Sequence, residues 1–285
     1  MQAAERRFAG TLLAPITLLY AVCLIAPISF FLAVSVFRYD PFAMYVPDLT
    51  GANFGRLVFD PYYRGIIVLT LRIALLTTIF SLLLGYPLAY FLSRTQSAWR
   101  GVLLFLVIAP LMTGVIVRTY GWIVLLGSEG LINSLLIGLG VVRRPLQMLN
   151  SEFAVVVALV HILLPYMVFP LFSALAAQDP NLERAAGTLG AGSARTFLEV
   201  TLPLSRSGIL MGSVLVFTLA AGAVVTPALL GGKNVQMMGQ TIYELVLRTL
   251  NWPLAAAMGS LLVLLQLSII LVYFRGGRRV VAERR

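Results

Sequence analysis

Long apolar runs separated by short polar stretches fill the chain from end to end. Six of them reach the roughly 20 residues a helix needs to cross a hydrocarbon core. They lie at about 11–36, 65–92, 101–126, 153–177, 207–230 and 253–274. The pattern predicts an all-α, polytopic membrane protein with about six transmembrane helices, since lipid offers no partner to unpaired backbone groups. Prolines 15, 27, 87, 110, 165, 170 and 227 fall inside these runs, so kinked helices are expected wherever neighbours satisfy the freed carbonyls. The first run follows MQAAERR. It is too long for a cleaved signal peptide and ends in no convincing small-residue cleavage site, so it reads as a retained helix. No internal period of roughly 20–50 residues emerges, and 1–285 reads as a single membrane domain.

The polar interruptions differ in kind. The segment 178–206 is an amphiphilic island, and its residues from Asp179 onward read DPNLERAAGTLGAGSARTFLEVTLPLSR. Asp179 can accept orphan N–H groups, Pro180 suits the first helical position and Gly190 can close a short helix, which predicts a helix over about 180–189. Ser193 is expected to cap a second helix through about Val200, with Leu202-Pro203 bending the chain back toward the bilayer. A soluble helix, turn and helix between two spans reads as a docking surface. The stretch Arg38 to Arg64, with its Asp, Pro, Gly and Tyr, reads as an irregular loop. Leu131 to Leu139 is apolar but too short to span, and reads as a re-entrant or interfacial helix.

Composition strengthens the membrane reading. Hydrophobic residues make up 60% of the chain and charged ones 11%, with mean hydropathy +0.94, more apolar than a soluble domain can bury. The net charge of +10 then reports topology. With the termini and even-numbered connections on one side, that side holds twelve basic residues: Arg6, Arg7, Arg94, Arg100, Arg184, Arg195, Arg206, Arg275, Arg278, Arg279, Arg284 and Arg285. The other holds seven: Arg38, Arg56, Arg64, Arg143, Arg144, Lys233 and Arg248. The positive-inside bias puts both termini and the island in the cytoplasm. The basic tail RGGRRVVAERR favours anionic lipid heads, and nucleic acid is a poor alternative partner.

Catalytic patterns are absent from the sequence. Cys23 and His161 are each the only residue of their type, so no intrachain disulfide or Cys-cluster metal site is available, and His161 reads as a helix-packing hydrogen bonder. There is no phosphate-binding G-x-x-x-x-G-K-[ST], no Ser-His-Asp set and no H-E-x-x-H, so neither an enzyme nor an ATPase is expected. Arg72 and Arg118 lie inside apolar runs. Each would cost several kcal/mol facing lipid at mid-depth, so each is expected to face protein or water, or to snorkel. Arg118, with Tyr120 and Trp122, either lines a solute path or anchors a helix end beside the interfacial aromatic belt.

The island resembles the cytoplasmic loop of bacterial ABC-importer permeases. The family pattern is Glu-Ala-Ala, three residues, Gly, nine residues, an aliphatic, any residue, then Leu-Pro. Ala185, Ala186, Gly190, Val200, Leu202 and Pro203 stand in that register. The family's Glu is here Arg184 and the nearest carboxylate is Glu183, so a salt bridge from the usual position loses its acid. LGYPLAYFLSR (Leu84 to Arg94), VRTYGWIVLLG (Val117 to Gly127), LLPYMVFPLFSAL (Leu163 to Leu175), VTPALLGG (Val225 to Gly232) and Asn251-Trp252-Pro253 look like the permeases of spermidine/putrescine importers, first-permease branch. The resemblance implies a type I importer fold, a homologous second permease, two ATP-binding subunits that hold ATP and magnesium, and a periplasmic solute-binding protein. The island would be the coupling helix, with Asp179, Glu183, Arg184, Ala185, Ala186, Gly190, Leu202 and Pro203 at the ATPase contact, and this chain would bind no cofactor itself.

The solute is less constrained. A polyamine is a flexible polycation, for which carboxylates and aromatic faces are the natural partners, yet none of the six runs holds an acid and two hold Arg. Arg118, Tyr120, Trp122, Thr226, Tyr243 and Glu244 are the pathway candidates, Glu244 being the best carboxylate for a cation or an ordinary charge opposite Arg248 four residues on. An opine, an amino-acid-like compound or another anionic or zwitterionic solute is the alternative within the same machinery. An ion-coupled secondary transporter would be expected to show intramembrane acids or repeated halves, and neither is seen.

Overall fold

The computed structural model describes residues 2–95, 97 and 99–282, with side chains described over 15–95, 97 and 99–271. In chain order the elements are α1 (Gln2–Ser35), β1 (Phe37–Asp40), β2 (Met44–Leu49), α2 (Ala52–Phe59), α3 (Pro61–Arg94), α4 (Trp99–Ile108), α5 (Val115–Leu126), α6 (Leu131–Gly138) and α7 (Glu152–Ala176). They continue with α8 (Asn181–Thr188), α9 (Ser193–Thr196), α10 (Leu202–Leu204), α11 (Arg206–Ala221), α12 (Met238–Leu247) and α13 (Trp252–Ala282). Among the described residues, five stretches are long and apolar enough to cross a membrane, and a sixth arises if the bent pair Ser193–Leu204 and Arg206–Ala221 counts as one span.

Two expected runs are interrupted. The run 101–126 becomes α4, a 3₁₀ turn over Ala109–Met112 and then α5, because Pro110 tightens the turn and Thr113 and Gly114 are extended, with ψ near 141° and 145°. The run 207–230 ends as a helix at Ala221. Beyond Gly222 the chain makes a wide π-turn over Pro227–Gly231, where the missing proline N–H breaks the regular ladder.

The chain falls into two compact units. The first comprises Met1–Arg64 with Ile242–Val263. Its stretch expected to be irregular folds as an antiparallel hairpin. Phe37 stacks on Tyr45 at 5.9 Å, and the carboxylate of Asp40 accepts the N–H groups of Phe42 and Ala43 at 2.8 Å each, closing the turn. Those two bonds hold the Asp40 carboxyl below its ordinary range. Asn53 at the start of α2 is buried and donates to the carbonyls of Ser35 and Phe37 at 2.9 Å, pinning α2 against the hairpin's first strand.

The second unit comprises Gly65–Thr241 with Leu264–Arg285. Its core is α7, which buries Ala154, Leu159, Met167, Leu171 and Leu175, with α11 packed along it. A Cβ on Gly208 would sit 2.7 Å from the Pro170 carbonyl, and one on Gly212 would sit 2.7 Å from Met167 Sδ. Gly-x-x-x-Gly spacing thus sets the close approach of α11 to α7. Buried Asn133 of α6 donates to the carbonyls of Gly127 and Leu146 and accepts from the N–H of Leu146, so the short apolar helix is tied to the connection that follows it. Arg72, unpartnered in the sequence, reaches Glu152 at the start of α7 at 3.5 Å.

Candidate functional site

The island joins α7 to α11 in the second unit. Asp179 Oδ1 accepts the N–H of Asn181 at 2.9 Å, satisfying one orphan donor at the start of α8. At the other end Gly190 has φ +83°, and the N–H of Ala191 reaches the Ala186 carbonyl at 3.0 Å, the wrapped-back geometry of a glycine-terminated helix. Ser193 does not cap the second helix. It is the first helical residue, and Gly192 before it makes no side-chain cap bond.

The chain also does not turn at Leu202-Pro203. A wide π-turn over Phe197–Thr201 makes room for the Pro203 ring, which would otherwise meet the carbonyl four residues back. The helical path therefore continues through α10 and bends by 65° between Leu204 and Arg206. Ser205 sits at this bend, fully buried, and its hydroxyl donates to the Leu202 carbonyl at 2.9 Å.

A stripe on α3 holds the island. Tyr86, Tyr90 and Arg94 are four residues apart and so share one helix face. The Tyr86 hydroxyl is 2.9 Å from Ser205 Oγ, and Phe197 packs edge-on against the rings of both Tyr86 and Tyr90. Arg94 Nη2 donates to Glu183 Oε1 at 2.7 Å and to Gln178 Oε1 at 3.4 Å. Glu183 also accepts from Thr201 Oγ1 at 2.9 Å and from the Tyr90 hydroxyl at 3.3 Å.

One carboxylate therefore ties α8, the π-turn and the end of α3 together. Partial burial by itself would raise the Glu183 carboxyl, but the hydrogen bonds from Arg94, Thr201 and Tyr90 and the Arg94 charge hold it below its ordinary value. The sequence reading put the family's salt bridge in doubt because Arg184 stands in the usual Glu position and Glu183 lies one residue off it. The structure supplies the salt bridge from Glu183, one residue earlier. The missed signal was the i, i+4, i+8 spacing of Tyr86, Tyr90 and Arg94 within LGYPLAYFLSR.

The opposite face of the island is open. Leu182, Ala185 and Leu189 follow helical spacing along α8 and are exposed, Leu189 at 88%. Ala186 is half-buried, and Arg184 points along the exposed side with Nη1 3.4 Å from Asn181 Oδ1. A polar cleft of about 270 Å³ lies between the two island helices, bounded by Tyr90, Glu183, Gly187, Ser193, Thr196 and Thr201 among others.

The pathway candidates separate. In the second unit Arg118 is half-buried on α5, and its Nε and Nη1 are buried without a hydrogen-bond partner. One turn on, Trp122 Nε1 donates to His161 Nδ1 of α7 at 3.3 Å. His161, given no chemistry from sequence, thus joins Trp122. Tyr120 is exposed. Thr226 is buried, with its hydroxyl 3.4 Å from that of Thr119, so it serves packing rather than lining an open path. Tyr243 and Glu244 belong to the first unit, on α12, the former exposed and the latter half-buried.

Comparison with known proteins places this geometry. The family model described as "Binding-protein-dependent transport system inner membrane component" matches residues 81–281. The spermidine/putrescine transport system permease protein PotB of Haemophilus influenzae is 38% identical over 247 residues, covering 87% of this chain and 86% of that protein. PotB of Escherichia coli is 37% identical over 226 residues, covering 79% and 82%. Among solved structures, a bacterial alginate ABC transporter in complex with an alginate pentasaccharide-bound periplasmic protein has a chain matching at TM-score 0.75 and 17% identity, over 98% of this chain and 97% of that one. At that identity the likeness is one of fold. The chain belongs to the inner-membrane components of binding-protein-dependent transport systems, and its fold is that of an ABC-importer permease. It is a multi-pass inner-membrane protein, in a family of transport components rather than enzymes.

Proposed function

We propose that this chain is the permease subunit of an ATP-driven importer that moves a polyamine of the spermidine/putrescine type from periplasm to cytoplasm. The observation that carries the solute class is the relation to the PotB permeases over most of both chains. The alginate transporter captured with its periplasmic protein supports delivery of solute by such a partner. The island is the docking site for the ATPase subunits. Its α8 offers a short apolar ridge, Leu182, Ala185 and Leu189, small enough at Ala185 to seat closely in a partner's groove. Two ATP-binding subunits would hold ATP and magnesium, and a second, homologous permease would complete the membrane path. Closure of the ATPase pair would push on the island from the cytoplasm, and both termini would lie on that side.

A second reading of the solute is favoured by one feature. Two buried donor nitrogens of Arg118, Nε and Nη1, lack partners, an arrangement suited to an anionic group passing along α5. The deciding experiment reconstitutes the chain with its ATPase, second permease and binding protein in proteoliposomes and measures ATP-dependent uptake of spermidine, putrescine, opine-like conjugates and 4-aminobutyrate. Uptake confined to the polyamines supports the first reading. Uptake of the anionic or zwitterionic compounds, lost in Arg118→Ala, would replace it.

A further inference from the structure

Resting on the reading of the island as the ATPase dock, we propose that Arg94 is the positioning residue of coupling, fixing the island to the end of α3 so that the two move as one body.

Three contacts lie along one face of α3 and reach three successive parts of the island. Tyr86 meets the bend at Ser205, Tyr90 meets Phe197 and Glu183, and Arg94 meets Glu183 and Gln178. Glu183 is bound from both sides of the turn, by Arg94 on α3 and by Thr201 beyond α9. Gln178 adds a second link, with its Nε2 3.3 Å from the Thr201 carbonyl. The Arg94 and Glu183 side chains are 19% and 22% exposed, so water screens this pair far less than it screens Arg195 of α9 and Glu199 of the π-turn, at 70% and 60%. A force on the exposed ridge of α8 is therefore delivered to α3 through a charge-assisted bond, with two aromatic edges backing it. α3 runs 34 residues, long enough to carry that displacement across the bilayer.

The geometry also states what may replace Arg94. Both of its hydrogen bonds leave from Nη2, and Nε is buried without a partner. A lysine ammonium supplies one charged donor group of that kind, so Arg94→Lys should keep the linkage, whereas Arg94→Ala removes it and Glu183→Gln leaves Arg94 a neutral acceptor without the ion pair.

The test uses the assembled importer in proteoliposomes and reads three quantities: ATPase subunits retained, solute taken up per ATP hydrolysed, and amide exchange over 181–201. Arg94→Ala should retain the ATPase subunits and raise exchange in the island. Its uptake per ATP should fall about tenfold, the scale of losing the short charge-assisted bond to Glu183, with the 3.4 Å contact to Gln178 adding little. Arg94→Lys should restore both readouts, and Thr201→Val, which removes a single bond to Glu183, should fall between. Unchanged uptake per ATP in Arg94→Ala overturns the proposal whatever the exchange shows, as does loss of the ATPase subunits from both Arg94 variants. Failure of the docking reading is separate. It would appear as normal ATPase binding by Leu189→Asp, which leaves the Arg94 contacts untouched.

Discussion

Gly190 and Gly187 stand three residues apart in the island and carry opposite predictions. At Gly190 a Cβ would meet nothing within 4 Å, but φ is +83°, a conformation that costs a non-glycine residue about 1–2 kcal/mol. Gly190→Val should therefore loosen the end of α8 and lower uptake per ATP, while Gly190→Asn, which tolerates that backbone better, should lose less. Gly187 lies inside α8 with ordinary backbone and open space around it, so Gly187→Ala should stabilise the helix by up to about 1 kcal/mol. Amide exchange across 181–191 in the three variants checks both signs. Glu183 sets a pH limit at the same scale. Its carboxyl titrates below the ordinary value of about 4.3, so its contribution is complete above that value and is lost as pH falls through the lower, folded value. Exchange in the island, corrected for intrinsic rates, should rise only in that acid window, and Glu183→Gln should show the raised exchange at neutral pH with no acid step. The sequence made Gly190 legible because a glycine after a capped, three-turn amphiphilic stretch has few other uses. It did not make Glu183 legible, since the partner that defines its role lies 89 positions away on α3.

Among the helices, the closest packing depends on Gly208 and Gly212 of α11. A Cβ at Gly208 would press on fixed neighbours, the Pro170 carbonyl at 2.7 Å and Leu171 Cα at 3.1 Å, whereas one at Gly212 meets first the flexible sulfur of Met167. Gly208→Leu should separate α11 from α7 and cost about 1–3 kcal/mol or more in overpacking, and Gly212→Ala should cost less. Thermal unfolding of the purified protein in detergent measures the difference, and equal effects at the two sites would show that the backbone contact does not set the packing. Hydropathy found the helical runs because burial in lipid demands length and apolarity of each span. It does not register a break such as Thr113-Gly114, which leaves an apolar run apolar while its backbone turns extended. The hairpin at Phe37–Leu49 escaped for the converse reason: a Pro-containing turn closed by Asp40 lacks the Asn-Gly or Asp-Gly signal that marks tighter hairpins.

For the whole molecule, orientation decides whether the island can serve ATP at all. The bias of twelve basic residues against seven is the ground for proposing that the island faces the cytoplasm, and the same count predicts that the loop after the first span faces the periplasm. Cys23 lies exposed within α1, so it must first be replaced by Ser to leave a silent background. Leu189→Cys in that background should then react with a membrane-impermeant maleimide in inside-out vesicles and stay unlabelled in right-side-out ones. Phe42→Cys, at the exposed hairpin turn, should show the reverse. Labelling of Leu189→Cys from the periplasmic side would put the ridge beyond the reach of cytoplasmic ATPase subunits and remove the basis for coupling through Arg94. The agreed pattern would instead place the Arg94 and Glu183 pair at the cytoplasmic end of α3, between the nucleotide-driven partner and a helix that crosses the bilayer, the position from which a short polar cluster can move a long apolar span.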